Sequence, residues 1–544
     1  MDPQRHRISP FVPLMVAVAL VAGLLLGRGM QADEGPMRIF HLRAPTAAEK
    51  VGQVIDLIDR QYVDSVEKGA LVEEVIQDLL QRLDPHSYYL SAKELRAATE
   101  PLEGSFDGIG VEFAIQRDTV VVVSPVEGGP SAALGVRAGD RILRADSTPI
   151  SGVNITNDGV MKLLRGPQGS KVTVLLSRRE RKLPFEVTIT RGKIPINSLA
   201  AALIWPDGVG YIKLSRFAKN THAEFLEAAN SLRNQGMTKL VLDLRGNGGG
   251  YLTAAVDLAD EFLSNGQVIV YTMGLHSPRR DLIATDRGSF EDIPLAVLID
   301  EGSASASEII AGAIQDNDRG VIIGRRSFGK GLVQEHVDLP DSSAIRLTTA
   351  RYYTASGRSI QKAYGVGVDY NAEFDGRFAH GELLTVDSIH MDTTHVYRTL
   401  SGRKVYGGGG IMPDLFVPAD TADGSRFLTD LFFTGVLNQF TFDLADKDRT
   451  RLKAMGSPKA FADRYEVPNL VLEDLRAFAR GQGVKDAPGE LERSRGTIIS
   501  RLKAGIARNI WGDEGFYEVL LRSDPAFRRA QGELAHPTVV LHKK

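Results

Sequence analysis

Apolar positions recur at helical spacing from Thr46 to about Thr99: Val51, Val54, Ile55, Leu57 and Ile58, then Leu71, Val75, Ile76, Leu79, Leu80 and Leu83. The pattern predicts a small helical segment. It breaks at Asp84-Pro85-His86, where proline lacks a backbone donor and restricts the residue before it. From Ser105 to Arg191 the period shortens to that of strands, in runs such as Thr119 to Val123, Val172 to Leu176 and Phe185 to Thr190, punctuated by Gly and Pro. From Gly208 strand candidates (Val209 to Leu214, Lys239 to Leu244, Leu295 to Ile299) alternate with helix candidates (Ala223 to Asn234, Leu252 to Leu263, Glu308 to Asp316). Such alternation predicts an α/β core with a largely parallel sheet. A polar stretch from Tyr364 to Leu400 interrupts the rhythm. Beyond Asp420 the chain turns charged, with helices expected at Arg426 to Val436, Leu470 to Arg480, Leu491 to Trp511 and Glu514 to Leu521.

The expected organisation is an amino-terminal segment (1–30), a helical region (31–102), a β-rich unit (103–192), the α/β core (193–362), an insertion (363–404), a return to the core (405–420) and a helical extension (421–544). In the first segment Arg5, His6 and Arg7 precede an uncharged run from Phe11 to Gly27. As a helix this run rises about 25 Å. Met30 occupies a position where a cleaved signal peptide wants a small residue, so a retained anchor is expected over a cleaved signal. Basic residues on its amino-terminal side put the bulk of the chain on the periplasmic face of the cytoplasmic membrane. The alternative is a soluble periplasmic protein.

Composition narrows the chemistry. A formal net charge of -3 leaves no footprint for nucleic-acid binding. With no Cys, disulfides, a thiolate nucleophile and Cys-ligated metals are excluded. The segment Leu295 to Ile310 reads as apolar strand, Gly-Ser-Ala turn and apolar helix. A serine in such a turn has its hydroxyl at the sheet edge beside free helix amides that can stabilise an oxyanion. Ser305-x-x-Glu308 is equally a capping box, and on this segment alone the two readings stand level.

A serine nucleophile needs a base. His276 and His336 have no triad context, and His86 reads as a turn residue. Lys330, between Gly329 and Gly331, can serve if burial depresses its pKa. Gly324-x-x-x-x-Gly329-Lys330 imitates a phosphate-binding loop, but Gly331 replaces the required hydroxyl. A second Gly-rich turn, Gly246-Asn247-Gly248-Gly249-Gly250, fails as a dinucleotide loop because Tyr251 stands at its third small position.

Three segments of the β-rich unit, Gly108-Ile109-Gly110-Val111, Gly129 to Val136 and Ala138 to Leu143, resemble a PDZ domain of the bacterial protease-associated kind. Gly302 to Ile309, Phe328-Gly329-Lys330-Gly331-x-Val333-Gln334, Leu347 to Tyr353 and Gly357-Arg358-Ser359-Ile360-Gln361 resemble the carboxyl-terminal processing, or tail-specific, proteases. The resemblance runs from about Leu83 to Asp414. It implies a ClpP/crotonase-like core with an inserted PDZ domain. It maps the nucleophile to Ser305, a choice among Ser303, Ser305 and Ser307 that composition cannot make. The general base maps to Lys330 and its orienting amide to Gln334.

The resemblance further implies an oxyanion hole from the amides of Ala306 and Gly249, with Gly248 as second choice. Gly108, Ile109, Gly110 and Val111 would receive a peptide carboxylate. Protein substrates with free C-termini are therefore the expected partners, without metal or cofactor. The rival reading is a catalytically silent PDZ adaptor. Two features depart from the family: about 40 residues intervene before Ile411-Met412-Pro413-Asp414, which puts access to the cleft in question, and the extension carries no chemical motif. For that extension a homo-oligomeric or regulatory role remains.

Overall fold

The computed structural model describes residues 11–29, 46–365, 367–370, 372–390, 393–421 and 423–539. The chain divides into two compact units, 1–75 and 76–544. In the first, the helix Phe11–Gly29 is followed by Ala47–Gln61, which Thr46 opens through a capping box with Glu49. Arg5, His6, Arg7 and Met30 lie outside the described residues. Among those described, no helix is long and apolar enough to cross a membrane. This corrects the expected anchor, and with it the membrane contact and the periplasmic-face location that rested on it. Length is the reason: the uncharged run of about 25 Å falls short of a hydrocarbon core of about 30 Å.

In the second unit the helix Ala92–Glu103 leads into a two-stranded ribbon of Ser105–Gly108 against Gly192–Pro195. Between the ribbon strands lies the β-rich unit, with strand order Val111–Gln116, Thr119–Pro125, Arg141–Ala145, Lys171–Ser177 and Phe185–Thr190. Alternation drives it. Val172, Val174 and Leu176 are buried on one face while Lys171 is exposed. Among the described residues Val111–Gln116 is an edge strand, paired only with Thr119–Pro125.

The core sheet runs Leu199–Ile204, Val209–Leu214, Lys239–Asp243, Leu295–Ile299, Val321–Gly324 and Leu415–Phe416. All neighbours after the first pair are parallel. Leu295–Ile299 is buried throughout, as a strand covered on both faces requires. One face carries the helices Thr221–Asn234, Leu252–Asp260 and Ala306–Asp316. The other carries the end of the extension, where Phe527 packs on Trp205 and Tyr211.

A second, antiparallel sheet was not legible in the alternation: Tyr88–Leu90, Ala344–Thr354, Val268–Met273 and Arg280–Ile283, with Leu332–Asp338 also paired to Ala344–Thr354. One helix of the extension also differs from expectation. The first ends at Phe433 and a new one starts at Val436 after Gly435, whose φ of 72° is left-handed. The last long helix, Arg495–Leu520, breaks at Gly512 (φ 70°, ψ −158°), between the two helices expected to end at Trp511 and to start at Glu514.

The insertion packs on the outside of the Lys330 loop. Its helix Ala372–Ala379 supplies Arg377, which donates to the Ser327 (3.1 Å) and Arg326 (2.8 Å) carbonyl oxygens. Glu382 pairs with Arg326 at 2.6 Å and Arg377 at 2.9 Å.

Candidate active site

Three turns meet at the carboxyl end of the core sheet. The first follows Lys239–Asp243, where Gly250 is bridged to Phe217 so closely that a Cβ would lie 2.0 Å from the Phe217 carbonyl oxygen. Gly249, at φ 100°, leaves no room either, since a Cβ would lie 2.8 Å from the Ser305 Cβ. The second turn, Asp300 to Ser305, joins Leu295–Ile299 to Ala306–Asp316. The third, Ser327 to Lys330, precedes Leu332–Asp338. Backbone bonds tie them together: Ala304 N–H to the Asn247 oxygen and Phe328 N–H to the Ser303 oxygen, both at 3.0 Å.

The three serines of the second turn have separate fates. Ser303 is fully buried and donates to the Leu244 carbonyl oxygen at 2.9 Å. Ser307 is likewise buried and donates to the Asn247 carbonyl oxygen at 2.8 Å. Ser305 lines a cavity of about 720 Å³ that Lys330, Gln334, Ala306, Gly248 and Gly249 also line. Its backbone, φ 55° and ψ −112°, lies in a region unfavourable to any residue with a Cβ. That strain sits where the strand must turn sharply into the helix.

Glu308, which the capping pattern singled out, caps the helix end at the Ser305 N–H and ties two turns as well. It is fully buried and accepts from the N–H groups of Ser305 (2.8 Å), Gly329 (2.7 Å) and Lys330 (2.8 Å) and from the Ser327 hydroxyl (2.5 Å). Burial pushes its carboxyl up to about 7 against these donors. Tyr352 adds a cross-tie: its hydroxyl reaches the Ser305 carbonyl oxygen at 3.2 Å and that of Lys330.

Lys330 is held below the ordinary lysine value, first by burial and then by the Arg346 guanidinium. Its Nζ donates to Gln334 Oε1 at 3.3 Å. Gln334 Nε2 donates to the His86 carbonyl oxygen. A carbonyl can only accept, so His86 fixes which end of the amide faces the lysine. His86 is set in turn by Asp84, which accepts its N–H at 2.8 Å, and by Tyr370, whose hydroxyl lies 2.8 Å from His86 Nε2. Among the described residues no hydrogen bond joins Lys330 to the Ser305 hydroxyl; catalytic bonds of unliganded sites commonly tighten only with substrate.

Of the amides expected to receive an oxyanion, those of Ala306 and Gly248 have no partner among the described residues. The Gly249 N–H donates to Asn247 Oδ1 at 2.9 Å. In the β-rich unit the Ile109 carbonyl oxygen accepts from Ser131 N–H (3.1 Å) and Oγ (2.6 Å), and Gly110 has a φ of 74°. Gly108 closes the ribbon and Val111 opens the edge strand, so all four loop residues stand at its open end. Among the described residues there is no cluster of His, Asp and Glu able to hold a metal. Sequence reading missed Glu308 as a joint, and it missed Arg346, Tyr352 and Tyr370. Glu308 had a signal in its spacing from Ser305, and Tyr352 lies in the family-like segment Leu347 to Tyr353.

A serine and a lysine sharing one cavity of an α/β core, beside a separate β unit, narrow the class, and comparisons with known proteins name it. The model of peptidase family S41 matches residues 208–373, and a PDZ domain model matches 108–189. The activating protease CtpB N-terminal domain matches 31–94, and a family of unknown function matches 427–512. The carboxy-terminal-processing protease of Bartonella bacilliformis is 38% identical over 326 residues, which cover 59% of this chain and 73% of that protein. The carboxy-terminal processing protease CtpB of Bacillus subtilis is 31% identical over 364 residues, covering 65% and 75%. Among solved structures, a photosystem II D1 C-terminal processing protease is 28% identical with a TM-score of 0.34, covering 68% of this chain and 92% of that one. The chain belongs to the carboxy-terminal processing protease family, and it is a serine-type peptidase carrying a PDZ domain.

Proposed function

We propose that the chain is an endopeptidase in which Ser305 is the nucleophile and Lys330 the general base. The observation that carries this is the separate fate of the three serines: Ser303 and Ser307 are buried and committed to carbonyl oxygens, and Ser305 opens to the cavity with Lys330. The neutral amine takes the Ser305 proton as the hydroxyl attacks the peptide carbonyl, then returns it to the leaving amine. Water hydrolyses the acyl-enzyme by the same route. Gln334, its amide oriented by His86, holds the amine in line. The Ala306 N–H and an amide of the Gly248–Gly249 turn receive the oxyanion. Gly248 now comes first, because its N–H is unpartnered while that of Gly249 already has Asn247.

Substrates are selected by their C-terminal tails. The open edge of Val111–Gln116 supports addition of a peptide strand, with the tail carboxylate at the loop Gly108 to Val111. The parallel core strands and the helices on one face support a ClpP/crotonase-like core, with domains divided as the sequence suggests. The test is cleavage of an unfolded protein with a free apolar C-terminus. Ser305→Ala and Lys330→Ala are each expected to lower kcat by about 10⁴-fold or more, and amidating the tail to raise KM. Equal cleavage by all three proteins would sink the mechanism.

A further inference from the structure

A groove of about 1000 Å³ lies between the helix Ala92–Glu103, the PDZ helix Asn157–Leu164 and the ribbon strand Gly192–Pro195. Thr99 and Glu103 line both this groove and the Ser305 cavity, so the two are contiguous. Ser105, Phe106 and Asp107 line it as well, and the chain runs from them directly into the carboxylate loop at Gly108. The groove therefore joins the PDZ domain to the nucleophile.

Its charge is one-sided. Lys93, Arg96, Lys162 and Lys193 are exposed, and none makes an ion pair among the described residues. Of the carboxylates, Glu100 is paired with Arg165 and Glu103 with Lys219, which leaves Asp107. Four cations without an ion pair among the described residues thus line the groove, Lys193 within reach of Glu103, in a chain whose net charge is -3. The basicity is local to this path and does not reflect the whole surface.

We propose that the groove carries the substrate chain between its captured tail and the scissile bond, and that it selects substrates with an acidic segment there. The proposal rests on the peptidase reading of Ser305. Lys93 and Arg96 belong to one wall, Lys162 and Lys193 to the facing walls, so an extended acidic segment meets cations from both sides. Each exposed pair contributes little, and the selectivity comes from several acting on one tethered chain. The groove's two ends both serve polypeptide, which favours a peptide over an anionic lipid or a nucleic acid.

The experiment uses unfolded reporter proteins that share one apolar tail and one scissile region and differ only in the intervening segment, acidic, neutral or basic. With the full chain, the acidic reporter is expected to exceed the basic one about tenfold in kcat/KM, mainly through KM, with the difference shrinking in high salt. The double variant Lys162→Glu, Lys193→Glu reverses the order, and the corresponding alanine pair falls between. Fluorescence anisotropy of the labelled segments bearing the tail, with full-chain Ser305→Ala, reads occupancy without turnover and follows the same order. An order indifferent to segment charge, or one that survives charge reversal, overturns the proposal. So does binding of anionic vesicles or single-stranded DNA through Lys162 and Lys193 without any effect of segment charge. If wild type and Ser305→Ala cleave alike, the peptidase reading fails, while the binding measurement still decides the groove.

Discussion

The two sides of the active site are built in opposite ways. The nucleophile's side is one continuous stretch, Leu295 to Asp316, in which strand, strained turn and helix follow directly along the chain. The base's side is assembled from distant pieces: Gln334 is oriented by a carbonyl 248 residues away in sequence, and Arg346 comes from another strand. A nucleophile needs a backbone conformation, which neighbours in sequence can impose. A lysine base needs an environment, which only tertiary packing supplies. Glu308 and Tyr352 join the two sides, and Glu308 is where the comparison is most exposed to attack.

Glu308→Gln replaces one acceptor oxygen by a donor among groups that all donate. The expected cost is about 2–3 kcal/mol of stability, and kcat falls about 10²-fold because both turns shift. Its pH dependence changes too. A carboxyl raised from 4.5 to about 7 in the fold binds its proton more tightly there than in the unfolded chain. It therefore contributes stability at low pH that is lost as pH rises through about 7. Melting temperatures across pH 4 to 8 are expected to lose this component in the variant. Unchanged kcat in a stably folded Glu308→Gln would mean that the two sides are held independently.

Arg346→Gln tests the base's side alone. The guanidinium lies near Lys330 and disfavours its charged form. Removing it raises the lysine pKa, so the acid limb of the kcat/KM profile moves to higher pH, with little change at the alkaline plateau. The measurement is the full pH–rate profile of both proteins. A limb that stays in place would leave burial alone to account for the depressed lysine.

This contrast also explains what could be read from the sequence. Leu295 to Ile299 was legible to the residue because a buried parallel strand is a continuous apolar run, and Val209 to Leu214 was legible although Lys213 interrupts its run. The antiparallel sheet was not, since Leu332–Asp338 mixes apolar and charged residues and carries the Lys330 side on an exposed strand. Spacing alone left Ser305 level with a helix cap, and burial of Ser303 and Ser307 is a tertiary fact. The Gln334 partner is a backbone carbonyl, a group every residue has, so no residue type could announce it. The intervening insertion raised a question of cleft access. None of its described residues lines the Ser305 cavity, and its buried ion pairs hold the Lys330 loop from behind.

That backing is the subtlest part of the contrast, and Tyr370→Phe isolates it. Tyr370 comes from the insertion, and its hydroxyl meets the His86 ring edge-on at 2.8 Å, with Lys362 wedged against the Tyr370 and Phe328 rings. Burial and the nearby Lys330 hold the His86 imidazole down at about 4, so it is neutral at neutral pH and the contact is a neutral hydrogen bond. Losing such a bond is worth about 1 kcal/mol, and one path from it to Lys330 runs through the His86 carbonyl and the Gln334 amide. The expected effect is a fall of about three- to fivefold in kcat with KM unchanged, since no substrate contact is removed. In Gln334→Ala the relay is already cut, so adding Tyr370→Phe is expected to cost nothing more in kcat. Full additivity of the two changes in kcat would show that Tyr370 acts by a route that does not pass through Gln334.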